Sequence, residues 1–331
     1  MELYTAFILQ LDATVRISVP LILAGMAGIF SERSGTINIA LEGKMLGSAF
    51  AAAALAYATG SPWMGLLGAI GVGVALALLH GFACITHKGN QVVSGVAINI
   101  LASGLTVIVG IALFQQGGQT PQLSNAERFT PITLPLVEAL AGVPILGPFY
   151  VELVSGHNLL VYIALASVPL TWWVVARTRF GLRLRAVGEN PEAVDTAGLS
   201  VARMRYLAQI CTGALCGVAG AYLSIAQSAA FIREMSAGRG FIALAAMIFG
   251  KWRPVPTMLA CLLFGFLEAG AARLQGFFDP RAVGPVMRKV LTALPFLIDA
   301  MPFILVVLLL AGFVGTATAP RAIGEPYIKE R

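Results

Sequence analysis

The sequence predicts an all-α, polytopic bundle of membrane-spanning helices, and three observations carry that reading. Of 331 residues, 58% are hydrophobic and only 11% are charged, whereas a soluble domain carries about 25% charged residues. Apolar runs near the length a helix needs to cross a bilayer core recur along the chain. The mean hydropathy is +0.83, and the 36 glycines suit helices that pack closely in lipid. Lipid, on this reading, is the solvent for most of the chain, which forms a single membrane domain over residues 1–331.

A formal charge of +6 and a pI near 9.4 do not point to nucleic acid, because the basic residues sit in short loops between apolar spans. Cys84, Cys211, Cys216 and Cys261 lie inside apolar stretches without CxxC spacing and read as small core residues. No metal site or cofactor is expected. The N-terminus does not read as a cleaved leader: Glu2 and Asp12 come early, and no small-residue cleavage site precedes the next apolar run.

In chain order the expected spans are 16–30, 39–58, 64–86, 92–115, 157–176, 206–228, 237–250, 254–275 and 293–315. The first and seventh are short and read as broken or partly crossing segments. If the loop at 177–205 is cytoplasmic, alternation places thirteen Lys and Arg inside and eight outside. That bias sets the N-terminus outside and the C-terminus inside. Residues 116–156, rich in Gly, Pro and Thr, then form the longest outer loop, either a lid, a docking surface or a plain connection. Residues 35–47 (GTINIALEGKMLG) and 238–250 (GRGFIALAAMIFG) share Gly, Ile-Ala-Leu and Gly at matching offsets. In this topology they run in opposite directions, as inverted repeats do.

Ionisable and amide groups inside spans mark candidate pathway residues. Asn38 and Glu42 share a helix face, and Glu42 is expected about 6 Å into a helix starting at Asn38. It would either line the path or bind Arg33 or backbone N–H groups at the start of its own helix. Lys44 faces elsewhere and is expected to snorkel. In the fourth span, Gly95, Asn99, Ser103, Thr106 and Gly110 form one stripe, with Asn99 about 12 Å deep. In the sixth, Gln209, Thr212, Cys216, Gly220, Ser224 and Gln227 form another. Such stripes serve as polar pathways or as close-packing seams. The amides of Asn99 and Gln227 need partners either way. Glu268 and Asp299 sit toward outer span ends, within expected reach of a vestibule, Arg273 or Arg288.

The loop at 177–205 holds the most informative local pattern. Glu189 leads into Asn190, a good N-cap, and Pro191 suits the first helical position. Glu192, Ala193 and Asp195 follow, with the two acids at the favourable end of the helix dipole, and Gly198 can take the left-handed stop. Two turns are too short to persist alone in water, so the segment reads as a lever touching another protein or as a loop on lipid headgroups.

The run RTRFGLRLRAVGENPEAVDTAGLSVARMRY resembles the cytoplasmic coupling loop of ABC importer permeases of the branched-chain amino acid and simple-sugar superfamily. SERSGTINIALEG, residues 31–43, is similar to a signature of the nucleoside-type branch, which works with basic-membrane-protein-like binding lipoproteins. The resemblance extends from about Pro20 to Gly315. It implies a multi-pass subunit in a bacterial plasma membrane and a second related permease. It also implies two cytoplasmic ATP-binding subunits or a fused ATPase, and an extracytoplasmic binding lipoprotein. The helix at 190–198 would dock on the ATPase, and the solute would be a nucleoside or else a simple sugar. No phosphate loop occurs, since Gly250-Lys251 is followed by Trp252. No HExxH motif or Ser/His/Asp arrangement occurs either, so no enzyme activity is expected of this chain. The competing class is an ion-coupled secondary transporter or channel, which would need carboxylates at mid-depth.

Overall fold

The computed structural model describes residues 2–140, 142–143, 145–277, 300, 304 and 318–329. The expected span at 293–315 lies outside them apart from Ala300 and Ile304, as do Asp299 and Arg288. The described residues form helices α1 (Glu2–Arg33), α2 (Leu41–Thr59), α3 (Pro62–Gly81) and α4 (Gln91–Phe114). After the long loop come α5 (Leu159–Arg177), α6 (Arg179–Glu189), α7 (Pro191–Thr196) and α8 (Val201–Tyr222). A short α9 (Arg239–Phe249) and then α10 (Pro254–Phe277) close the described bundle. Among the described residues there is no strand, only one antiparallel bridge between Pro131 and Asn158.

Six segments are long and apolar enough to cross a membrane: Tyr4–Arg33, Pro62–Thr86, Gln91–Phe114, Leu159–Arg177, Val201–Gln227 and Pro254–Arg273. The expected count of nine is therefore not met among the described residues, for three separate reasons. The last span is not described. α9 has 11 residues, about 16 Å of helix and half a bilayer. α2 carries Glu42 and Lys44, and it can do so because protein encloses it (most of its residues are buried). The first span is not short as expected: α1 runs 32 residues. Asp12 and Arg16, which interrupt its apolar run, neutralise each other one turn apart at 2.8 Å.

α1 is the central post, antiparallel to both α8 and α10. Thr212 Oγ1 donates to the Ala27 carbonyl and the Tyr222 hydroxyl to the Arg16 carbonyl, both at 2.9 Å. On the other side Ser18 Oγ donates to the Cys261 carbonyl at 3.1 Å. Because lipid is as apolar as a leucine side chain, close packing and such bonds hold the bundle rather than hydrophobic burial. The α8 glycines serve that end: Gly213 lies against Gly73 of α3, and Gly220, from the stripe, lies against Met45 and Ala49 of α2, where any Cβ would collide with backbone. All four cysteines are free, three of them buried.

The segments expected on one side of the membrane do gather at one end. Arg33 Nε and Nη2 donate to the Trp252 carbonyl. Ala322 N–H donates to the Gly188 carbonyl at 2.9 Å and Gly324 N–H to the Gly35 carbonyl at 3.1 Å. Thr86 Oγ1 shares a hydrogen bond with the Tyr206 hydroxyl at 2.6 Å. This basic end carries α6 and α7. At the opposite end the 116–156 loop is tied to the C-terminal side of α8, with Phe129 N–H on the Ile225 carbonyl and Leu123 N–H on the Ala229 carbonyl.

Candidate functional site

Two places concentrate polar chemistry: a junction of helix starts inside the bundle, and a helical hairpin at the basic end. The junction begins where α1 ends. Residues 34–40 run back into the bundle without helix, and α2 starts only at Leu41, three residues later than a start at Asn38. Gln91, the first residue of α4, receives the Ile37 N–H at 2.6 Å, and Asn99 Oδ1 receives the Gly43 N–H at 2.8 Å. Glu42 is therefore level with Asn99, about 12 Å along α4, and not near the interface.

At that depth α2 and α9 meet start to start. The Glu42 carboxylate accepts from Gly238 N–H at 2.8 Å and Gly240 N–H at 2.6 Å, the first free donors of α9. A carboxylate there satisfies two orphan donors and faces the positive end of the α9 dipole. Gly240 is required because a Cβ would strike the Glu42 backbone. The two echoed segments thus touch, and they run in opposite directions. Asn99 clamps the same spot, with its Nδ2 donating to the Ile39 carbonyl at 3.1 Å.

The other pathway candidates divide. Asn38 is fully buried, and its Oδ1 accepts from Lys44 Nζ at 2.7 Å. Lys44 does not snorkel: its side chain is 0% exposed. It is held by Asn38 and, at 3.5 Å, by Gln209, whose Nε2 donates to Ser31 Oγ at 2.9 Å. Helices enclose Lys44 on every side, so its stem has no route to water. Ser103 Oγ donates to Glu234 Oε1, in a segment where Glu234 and Ala237 both adopt positive φ. Gln227 is exposed at the end of a π-helical turn, Leu223–Gln227, that closes α8. Glu268 pairs with Arg239, the first residue of α9, at 2.9 Å, rather than with Arg273, which donates to the Ala6 carbonyl. Local spacing did not signal the Arg239–Glu268 pair, because its members come from different helices.

At the basic end the expected short helix is present. Asn190 Oδ1 accepts from Ala193 N–H at 3.0 Å, Pro191 opens α7, and Gly198 has φ +80°. Glu189, Asn190, Glu192, Ala193 and Gly198 are exposed, while Val194 is buried. Asp195 is turned toward the C-terminal segment, where Lys329 Nζ lies at 3.3 Å. Sequence reading missed α6, which forms the other arm. Thr178 caps it by accepting from Gly181 N–H at 3.1 Å. Between the arms lies a mainly apolar groove lined by Leu182, Ala186, Ala193 and Val194, with Arg183 and Glu189 on its rim. Leu182 is 53% exposed there.

The described residues thus form a helical bundle with six segments able to span a membrane and a capped helical hairpin at one end. Residues 10–300 match the family described as branched-chain amino acid transport system / permease component, and the chain belongs to that family. It is 36% identical to the guanosine ABC transporter permease protein NupQ of Bacillus subtilis over 99% of each chain. It is 35% identical to the nucleoside ABC transporter permease protein NupC of Lactococcus lactis over 95% of each chain. A putative glucose ABC transporter permease protein, TsgC13 of Haloferax volcanii, is 38% identical over 82% of this chain and 80% of its own. No solved structure matches. The chain is thus a multi-pass ABC transporter permease, a transport subunit rather than an enzyme. Its family works with ATPase and substrate-binding partners.

Proposed function

We propose that this chain is one of two related permeases of an ATP-driven importer that takes up nucleosides by alternating access. The observation that carries the reading is its similarity, over nearly the full length of each chain, to permeases named for guanosine and for nucleosides. The SERSGTINIALEG segment at residues 31–43 supports the same branch. A simple sugar is the second reading, favoured by the match to the putative glucose permease.

In this reading the basic end is cytoplasmic and the N-terminus lies outside, as the Lys and Arg distribution favours. Glu189, Asn190, Pro191, Glu192, Ala193 and Gly198 present α7 to two ATP-binding subunits or a fused ATPase, and the groove beside Leu182 takes an apolar anchor from that partner. Asp195 braces the helix from behind. A binding lipoprotein docks at the opposite end, near residues 116–156. Ser103, Glu234 and Gln227 line the solute path, while Asn38, Glu42 and Asn99 hold the junction on which it turns. Strained backbone at Glu234 and Ala237 supports that placement, because such conformations gather at working sites.

The test is to purify the tagged chain gently with its partners and to measure ATP hydrolysis with the binding protein present. Copurification of an ATPase and a second permease, with hydrolysis stimulated by purine nucleosides, is the expected result. Stimulation by glucose alone would transfer the substrate to the sugar reading. A chain that purifies alone and moves solute down an ion gradient would overturn the importer.

A further inference from the structure

A cleft of about 690 Å³ opens at the basic end between the last turns of α1 and α5, the middle of α6 and the turn before α10. Arg33, Arg185 and Arg253 line it together with Trp172, Trp252 and Val255. The floor is rigid. Arg33 Nε and Nη2 both donate to the Trp252 carbonyl, at 3.2 and 3.1 Å, and the Trp252 indole donates to Glu32 Oε2 at 2.7 Å. These bonds pin a turn in which Lys251 and Trp252 both have positive φ, and the pinned turn presents Arg253 to the opening.

The charge in this cleft is not balanced. Arg33, Arg185 and Arg253 are its charged lining residues, and no carboxylate is among the described residues that line it. Glu32 does not line the cleft; its carboxylate accepts from the Trp252 indole. Three guanidinium groups so placed suit an acceptor with several oxygens, a phosphate above all.

The wall on the other side is largely apolar, with the Arg177 guanidinium 5.7 Å from the Trp172 ring centroid. Trp172 is 45% exposed and Val255 46% exposed. On α5 the outward face continues with Trp173 and Leu170. A water-soluble anion would meet no use for that wall, whereas a lipid places its phosphate at the helix ends and its chains along the apolar face. We propose that this cleft binds the phosphate headgroup of an anionic phospholipid, with its acyl chains lying against Trp172 and the face of α5. The proposal needs the chain to span a membrane, but it does not depend on which solute is carried.

The experiment uses the full chain in detergent, with phosphatidylglycerol and phosphatidylcholine as the added lipids. Native mass spectrometry reads retention, and thermal unfolding reads stabilisation. The expected result is selective retention of phosphatidylglycerol, weakened by about tenfold or more in R185Q/R253Q, the loss expected for one charge-assisted hydrogen bond to phosphate. The double variant R179Q/R203Q, which loses the same charge outside the cleft, is expected to keep its selectivity. R253Q alone, at an exposed position, is expected to show a partial loss without unfolding. Unchanged selectivity in R185Q/R253Q would overturn the site. If millimolar inorganic phosphate displaces the lipid and gives the same stabilisation, the site serves free phosphate and the lipid assignment fails. If R185Q/R253Q loses a copurifying ATPase but keeps its lipid, the cleft is a protein contact and the proposal is likewise wrong.

Discussion

Glu42 and Lys44 stand two residues apart on α2, and the fold spends them on different neighbours. Glu42 supplies both oxygens to the start of α9. Charge-assisted bonds of this kind contribute about 1.5–3 kcal/mol each. Glu42→Ala is therefore expected to lower thermal stability in detergent by several kilocalories per mole, with Glu42→Gln intermediate because it keeps one accepting oxygen of the two and loses the charge. An E42A protein that melts like the parent would remove the capping role. An E42Q protein that melts normally but no longer transports would instead place Glu42 on the solute path. Lys44 has no carboxylate within ion-pair distance among the described residues, so the Asn38 and Gln209 oxygens carry its solvation. Removing a partner from a buried charge costs more than removing the charge itself. Asn38→Leu should accordingly destabilise more than Lys44→Met, and the reverse order in paired melts would refute this account. The sequence permitted a backbone-binding role for Glu42 but could not name α9, which lies nearly 200 residues downstream. It misread Lys44 because spacing shows which face a side chain takes and not what covers that face.

At the scale of elements, the local grammar of α7 was legible: an N-cap, a proline at the first position and a glycine stop all stand where their physics places them. α6 was not, because its run of arginines among single apolar residues looks like loop when read by composition. Only Leu184 and Val187, buried beneath the exposed Arg179 and Arg183, show why the segment folds. The half-length of α9 was legible as a short apolar run, whereas the length of α1 was hidden by Asp12 and Arg16 until their mutual pairing was seen. The capped helix leads to a specific expectation. Asn190→Ala removes a cap worth about 1 kcal/mol, and Gly198→Ala forces a Cβ into a left-handed position at a cost of about 1–2 kcal/mol. Neither change touches the spans. Both variants should melt like the parent yet retain less ATPase on purification, with the double variant retaining least. Full retention by the double variant would show that the shape of α7 is irrelevant to assembly.

Across the whole molecule, the C-terminal segment joins parts that the sequence keeps far apart. Its residues 318–329 meet α6 at Gly188, the turn after α1 at Gly35, α8 at Arg205 and α7 at Asp195. Arg205 is 1% exposed; its Nε donates to the Ser34 carbonyl and its Nη1 to the Glu325 carbonyl. The segment therefore ties the hairpin to the bundle, at α1 and α8 together. Nothing in its sequence announced this, because a short polar tail becomes informative only through its acceptors. Deletion of residues 318–331 strips the Gly35 and Gly188 carbonyls of their donors and leaves the Arg205 guanidinium short of an acceptor. Each such buried group costs about 1–3 kcal/mol. The truncated chain is expected to melt lower and, once assembled, to hydrolyse ATP with weakened response to solute. Lys329→Gln breaks only a pair whose lysine is 72% exposed, which is worth less than about 1 kcal/mol, and should change neither property. The comparison separates a mechanical tie from a surface charge effect: if K329Q reproduces the truncation, the charge pair and not the backbone strap links hairpin to bundle, and if the truncation leaves solute response intact, the hairpin acts on the spans without it.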